Sequence, residues 1–376
     1  MSIILGFIIV SEMCERSNKE SFFKRRIILK KMKIKQFRTI LKEKRLQAAL
    51  FITPDPNLVY FTQVNPSFGL LYVTPQEAQF HVSKLDQRTC SRELKTIFLE
   101  KGWEKKLAQK KVKRIGINKE HLTLALADKI KKIFPKAKLV DVSPELKKLR
   151  ADKTPEEIKK IRKAAKITST VFSHLLIQLK KKKLKTEQDV AQFIHEECFY
   201  AGADLAFPTI VASAKNSAIP HHQTSLSKLQ RGFLLLDFGA KYENYCSDMS
   251  RTLFLGQPTK EEKEKYQMLL QVQEKTIEFC RHKPSLYAAE RFSRKELGKY
   301  VSYFVHSLGH GVGTEIHEEP YSRKRGLLPQ NSIFTIEPGI YFPHKFGIRI
   351  EDTLFWNGKK IEILTKAPKE LIVLPW

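Results

Sequence analysis

The sequence has little that would tie it to an oxidising compartment or a membrane. Its five cysteines, Cys14, Cys90, Cys198, Cys246 and Cys280, form no CxxC pair and are odd in number. Neither a disulfide framework nor a cysteine zinc site is therefore indicated, and a reducing, cytoplasmic setting fits. The apolar run from Ile3 to Val10 has no basic residue before it and no small-residue cleavage site after it, so it does not read as a secretory signal. It is also far short of the roughly 20 apolar residues that span a bilayer. No internal repeat of short period is present, and the biased segments are confined to lysine runs. Acidic side chains are in deficit: 40 Asp and Glu face 68 Lys and Arg, a formal charge of +28. Such a charge can attract nucleic acid or anionic lipid. Here the lysines, as in Lys105 to Lys113 and Lys180 to Lys185, are spread over many helices without the interleaved aromatics of a base-stacking surface. They read as solvated helix faces, so neither a nucleic-acid nor a membrane partner is expected.

What is present suits two folded domains: 376 residues, 42% of them hydrophobic. Met32 to Phe37 reads as the start of a first helix, which leaves residues 1–31 as a loosely attached extension or an upstream start. Over residues 32–147, short apolar strands alternate with charged helices. Strands are expected at Ala48–Thr53, Leu58–Phe61, Gly69–Val73 and Gln79–Val82, and helices at Arg88–Leu99 and Leu122–Phe134. This predicts a smaller α/β domain without a ligand-type cluster, since His81 and His121 stand alone. Residues 148–376 form a second domain. Thr154-Pro155-Glu156-Glu157 supplies a capping hydroxyl, a first-turn proline and a reciprocal glutamate, with Ile158, Ile161, Ala165, Val171 and Leu175 on the buried face. Further helix starts fall at Thr186 with Asp189 and at Thr259 with Glu262. Strands are expected at Thr209–Ala212, Phe233–Gly239, Tyr245–Phe254, Ser332–Ile336 and Gly347–Leu354. Helices interspersed with hairpin-connected strands predict an α+β catalytic domain.

Within that domain, charge appears where it is costly. Asp237 ends the run Phe233-Leu234-Leu235-Leu236, Glu337 follows Ile333-Phe334-Thr335-Ile336, and Glu351 follows Ile348-Arg349-Ile350. Asp248 lies across a probable hairpin from Asp237. Buried carboxylates must be paired, hydrogen-bonded or bound to metal. His310 sits among glycines in Gly309-His310-Gly311-Val312-Gly313, and His317 follows in His317-Glu318-Glu319-Pro320. Taken alone, either histidine also fits a satisfied core residue. Four carboxylates and one imidazole together make a hard, oxygen-dominated set that favours a pair of divalent ions. Two ions sharing carboxylates are suited to activating a water for hydrolysis.

An ordered series of segments resembles the pita-bread metallopeptidases, and most closely the Xaa-Pro branch of prolidases and aminopeptidase P. The series is Asn216-Ser217-Ala218-Ile219-Pro220-His221, Leu236-Asp237-Phe238-Gly239-Ala240, Ser247-Asp248-Met249-Ser250-Arg251-Thr252, His306-Ser307-Leu308-Gly309-His310-Gly311-Val312-Gly313, His317-Glu318-Glu319-Pro320, Thr335-Ile336-Glu337-Pro338-Gly339-Ile340-Tyr341 and Gly347-Ile348-Arg349-Ile350-Glu351-Asp352. A weaker match, Ala49 to Pro54 and Tyr60 to Thr62, resembles the amino-terminal domain that accompanies creatinase-type relatives. The resemblance implies a C-terminal pita-bread (creatinase/aminopeptidase) catalytic domain behind that smaller α/β domain. It implies metal ligands at Asp237, Asp248, His310, Glu337 and Glu351, with Asp248 and Glu351 bridging. It implies active-site roles for His221, His306, His317, Glu337 and Arg349. Two divalent ions follow, manganese first with cobalt or zinc as substitutes, together with a proline-containing peptide substrate and a homodimer. His222, beside His221, and a short stretch from Cys280 to Lys299 depart from the pattern and bear on the shape of the substrate pocket. Two other readings use the same scaffold: a non-catalytic binding protein for nucleic acid, ribosome or histone, and a hydrolase of creatinase or methionine aminopeptidase type.

Overall fold

The structure is a computed structural model that describes residues 33–89 and 94–376, and the chain parts into two compact units between Leu149 and Arg150. The expected extension over residues 1–31 lies outside the described residues. The first unit holds strands β1 (Ala48–Ile52), β2 (Gly69–Val73), β3 (Ala78–Val82), β4 (Lys95–Phe98), β5 (Arg114–Ile117) and β6 (Lys138–Asp141) in one sheet of order β4-β3-β2-β1-β5-β6. Its helices are α1 (residues 33–43), α2 (Pro56–Thr62), α3 (Trp103–Ala108), α4 (Leu124–Ile133) and α5 (Ser143–Ala151). Strand alternation sorts β1 between two cores. Ala49 and Phe51 pack with Phe37 and Leu41 of α1, whereas Ala48, Leu50 and Ile52 face Ile130 and Ile133 of α4.

Two expectations fail here for identifiable reasons. Leu58–Phe61 is not a strand but the core of α2, because the Asp55 side chain accepts the Asn57 N–H and Pro56 occupies the first turn, a start signal that outweighs local β-propensity. Of the expected helix Arg88–Leu99, residues 90–93 lie outside the described residues, and the flanking parts fall in a 3-10 turn (Lys84–Thr89) and in β4, which pairs in parallel with β3 from Gln79↔Lys95 to Val82↔Phe98. Tertiary pairing wins over helical spacing there.

The second unit carries α6 (Pro155–Lys180), α7 (Glu187–Tyr200), α8 (Lys260–His282) and α9 (Leu286–Glu296). The capping boxes at Thr154 with Glu157, Thr186 with Asp189 and Thr259 with Glu262 all form. The expected face of α6, Ile158, Ile161, Ala165, Val171 and Leu175, is buried. Its strands are β7 (Asp204–Leu205), β8 (Ile210–Ser213), β9 (Gly232–Phe238), β10 (Ala240–Tyr242), β11 (Tyr245–Cys246), β12 (Met249–Leu255), β13 (His310–Gly311), β14 (Glu318–Tyr321), β15 (Ser332–Ile336), β16 (Gly339–Phe342), β17 (Phe346–Arg349), β18 (Asp352–Trp356), β19 (Ile361–Ile363) and β20 (Val373–Leu374). They form sheets β20-β12-β9-β8, β14-β13-β15-β18-β19, β11-β10-β7 and β16-β17. Pairing is antiparallel except for β12 with β20. Helices α6 and α7 bury Val171, Leu175, Val190 and Ile194 against Leu234, Leu236 and Leu253. Helix α8 buries Leu269, Val272 and Ile277 with Phe334, Ile336 and Leu354. The unit is thus α+β. Among the described residues no helix is long and apolar enough to cross a membrane.

The segments expected as single strands over Tyr245–Phe254 and Gly347–Leu354 are each interrupted. One breaks at Ser247-Asp248 and the other at Ile350-Glu351. The breaks are stitched to each other's sheets: Asp248 N donates to Thr353 Oγ1 at 3.1 Å, Thr353 Oγ1 donates to Asp248 O at 2.7 Å, and Glu351 N donates to Ser250 O at 3.1 Å. Each carboxylate is thereby freed from the two-residue alternation that would fix its face. Beneath them Arg251, fully buried, donates to the Glu351, Ser250, Ala367 and Pro368 carbonyls and pairs with Asp352 at 2.7 Å.

Candidate metal centre

Strand β9 delivers Asp237 near its end, the break before β12 delivers Asp248, β13 begins with His310, Glu337 follows β15, and Glu351 precedes β18. Asp248, His310 and Glu351 offer ligand-type atoms within 4.8 Å of one another. His310 Nε2 lies 3.3 Å from Glu337 Oε1 and 3.6 Å from Asp248 Oδ2. The other ring nitrogen, Nδ1, donates to Gly311 O at 3.1 Å, which fixes the tautomer and turns Nε2 toward the acids. Arg349 binds Asp237 Oδ2 at 2.6 Å, Ser250 Oγ at 2.9 Å and Tyr341 Oη at 2.6 Å. Ser250 in turn donates to Glu351 Oε2 at 2.7 Å.

Four carboxylates thus share one guanidinium, and the excess negative charge has electrostatic consequences. Burial, then the neighbouring Glu351, Asp237 and Glu337, push Asp248 well above the usual carboxylate range; burial with Glu337 and Asp237 does the same to Glu351. Burial also works against ionised Glu337, but the His310 hydrogen bond and charge, with Arg349, hold it down at about 2. Asp237 Oδ1, Asp248 Oδ1 and Glu351 Oε1 are buried and make no hydrogen bond. Unpartnered carboxylate oxygens on three converging chains are what a divalent cation requires and what a self-sufficient core avoids. The donor set therefore fits divalent metal.

A cavity of about 450 Å³ opens over this cluster, and all nine residues singled out from the sequence line it: His221, Asp237, Asp248, His306, His310, His317, Glu337, Arg349 and Glu351. Phe207, Ile210 and Ile316 give it an apolar wall. The His317 ring stands edge-on to His310, 4.2 Å between centroids. Burial and the His310 charge lower His317 to about 4, so it is neutral at physiological pH. His306 Nε2 meets Tyr341 Oη at 2.9 Å and its Nδ1 meets Ser307 O at 2.9 Å. With Arg349 donating into the same phenol oxygen, Tyr341 donates to Nε2 and His306 is neutral; burial, the largest influence, also lowers it.

A scan against family descriptions matches residues 159–356 to "Metallopeptidase family M24" and residues 33–151 to "Creatinase/Prolidase N-terminal domain". The chain belongs to metallopeptidase family M24. This M24 peptidase is 34% identical over 335 residues to the Xaa-Pro dipeptidase of Pyrococcus furiosus, covering 86% of this chain and 94% of that protein. It is 32% identical over 358 residues to the peptidase YqhT of Bacillus subtilis, covering 91% of this chain and 100% of that one. Among solved structures it resembles the prolidase from Pyrococcus horikoshii (TM-score 0.82, 29% identity, 91% and 100% of the two chains). It likewise resembles the X-Pro aminopeptidase from Thermotoga maritima (TM-score 0.79, 30% identity, 88% and 98%). The pita-bread fold expected for the second domain is the fold observed.

The glycines around His310 admit neighbouring strands: a Cβ on Gly309 would collide with Thr335 O, and one on Gly311 with Glu319 O. One expectation about this M24 peptidase changes. His222, read as a second imidazole bearing on the pocket, does not line the cavity but binds Glu187 at 2.8 Å. Tyr341, Ser250 and Thr335, whose Oγ1 donates to Glu337 Oε1 at 3.1 Å, carried no assigned role in the sequence. Their part lies in contacts between distant segments, to which local pattern is blind.

Proposed function

We propose that this M24 peptidase hydrolyses the bond between an amino-terminal residue and a following proline, in dipeptides or longer peptides. Two divalent ions would be held by Asp237, Asp248, His310, Glu337 and Glu351. The observation that carries the reading is the convergence of three orphaned carboxylate oxygens on one cavity with an apolar wall. The relatives described as Xaa-Pro dipeptidase and X-Pro aminopeptidase support the substrate class. Manganese suits so oxygen-rich a set, with cobalt or zinc as substitutes. When bound, such ions lower the pKa of a coordinated water and polarise the scissile carbonyl.

The chain's own residues supply the rest. Glu337, steadied by the Thr335 hydroxyl, accepts the proton of the attacking water. His317 and His221 offer ring N–H groups to the oxygen on which negative charge develops. Arg349 and Tyr341 hold Asp237 and His306 in place. A bond to proline has no amide hydrogen to read, so recognition falls to contact, and Phe207, Ile210 and Ile316 offer the ring an apolar surface. Arg323, exposed at the cavity wall and stacked over Tyr321, is placed to meet a substrate's free carboxylate. A cytoplasmic homodimer completes the proposal.

The test is a metal-reconstituted assay comparing Gly-Pro, a longer Gly-Pro peptide and Met-Ala. Turnover of Met-Ala with none on Xaa-Pro substrates would overturn the assignment. Absence of stoichiometric metal together with a salt-dependent nucleic-acid shift would favour the binding-protein reading instead.

A further inference from the structure

His221 faces the cavity yet makes no hydrogen bond among the described residues, so its position is inherited from its neighbours in the chain. On one side, Pro220 O accepts from Arg349 Nη1 at 3.2 Å. On the other, His222 turns the opposite way and its Nε2 lies 2.8 Å from Glu187 Oε2. Glu187 opens α7 and its side chain is fully buried. It also accepts from Ser213 N at 2.8 Å, Asn216 Nδ2 at 2.9 Å, Ser225 Oγ at 3.0 Å and Ser225 N at 3.3 Å. Every one of these donors belongs to the segment from the end of β8 through residue 225, the segment that carries His221. The start of α7 adds main-chain bonds at and just beyond the end of that segment: Gln188 N donates to Ser225 O, and Glu187 N to Ser227 O.

We propose that Glu187 and His222 act as a lock that positions His221 over the cavity, a role resting on the peptidase reading above. A carboxylate only accepts, so His222 Nε2 carries the proton of that bond, and five donors converge on two oxygens, the Ser225 hydroxyl shared with Ser227 Oγ at 2.8 Å. Neither residue touches substrate. Their contribution passes through His221, in the way that displacing a positioned group by about 1 Å can lower a rate roughly a hundredfold.

The decisive measurement is a double-mutant cycle on Gly-Pro hydrolysis. H222L should lower kcat/KM about tenfold in the otherwise unchanged enzyme, but by less than about twofold in an H221A background, because the group being positioned is already gone. H222Q keeps a donor in place of Nε2 and should stay within about twofold of wild type. Equal losses in both backgrounds, or an H222Q as impaired as H222L, would show a structural or unrelated role. Amide exchange supplies a readout independent of turnover: in E187Q the Ser213 and Ser225 amides should lose protection, and unchanged exchange there would remove the lock. If the wild-type enzyme cleaves no Xaa-Pro substrate, the peptidase reading falls, and the exchange experiment alone decides whether the lock exists.

Discussion

Around Glu318, two cations meet two carboxylates. Arg150 binds Glu318 Oε2 at 2.7 Å and also pairs with Glu315, while Lys153 Nζ holds Glu318 Oε1 at 2.7 Å. Around Glu351, in the same unit, four carboxylates share Arg349. Glu318 and Glu351 are both buried, and both clusters leave water behind at considerable free-energy cost. The first is compensated by side chains and every Glu318 oxygen is used; the second leaves one oxygen idle on each of Asp237, Asp248 and Glu351. A structural cluster closes its charge account internally, whereas a site meant for an exogenous cation is left short by design of its sequence.

The comparison breaks most sharply at Asp248. Asp248→Ala should lower turnover by at least roughly a thousandfold, since metal-supplied stabilisation of several kcal/mol is at stake, and metal retained after desalting should fall with it. Wild-type turnover of that variant would erase the distinction between the clusters. At Glu318 the expected loss is of folding rather than chemistry. Glu318→Gln leaves buried Lys153 without its counter-charge and Arg150 with Glu315 alone, and should cost about 3–5 kcal/mol in urea melts; a loss below about 1 kcal/mol would mean the cluster is not what holds β14.

Linkage gives the two clusters opposite signs. Glu318 is held below its ordinary 4.5 because, against burial, Lys153 and Arg150 favour the charged form. Its contribution is therefore complete above 4.5 and is lost as pH falls through the depressed folded value. Asp248 and Glu351, raised in the metal-free protein, keep protons that the unfolded chain releases. The stability they lend is full below their ordinary 3.8 and 4.5 and declines as pH rises toward their folded values. Asp248→Asn should therefore stabilise the metal-free protein near pH 7 and destabilise it relative to wild type in excess divalent ion, where the wild type gains binding energy. The same sign under both conditions would count against a cation-shaped deficit. The smallest expected effect is at Tyr341: Tyr341→Phe removes the bridge from Arg349 to His306 and should reduce kcat about tenfold with little change in melting temperature.

Much of this was legible before the fold. The clustered carboxylates Asp237 and Glu337 announce themselves because an ionised group at the end of Phe233-Leu234-Leu235-Leu236 or Ile333-Phe334-Thr335-Ile336 has no local reason to be there. The helix starts at Thr154, Thr186 and Thr259 follow from reciprocal capping, which is encoded within four residues. Less legible were the interruptions beside Asp248 and Glu351, where apolar neighbours favour a continuous strand and only cross-sheet bonds through Thr353 and Ser250 make a break worthwhile. Glu187 was hidden for a related reason. In sequence it is an ordinary first-turn acid; its five donors come from a segment that the fold, not the chain, brings to it.

The seating of Arg251 ties a late stretch of the polymer to the proposed metal centre. Its guanidinium spans from the carbonyl of Glu351 to those of Ala367 and Pro368, and β20 runs alongside β12 just beyond. Proteolytic trimming from the carboxyl end would strip acceptors from an immured cation before it removed any of the proposed ligands, so a clipped protein should forfeit metal affinity while still possessing every residue proposed to confer it.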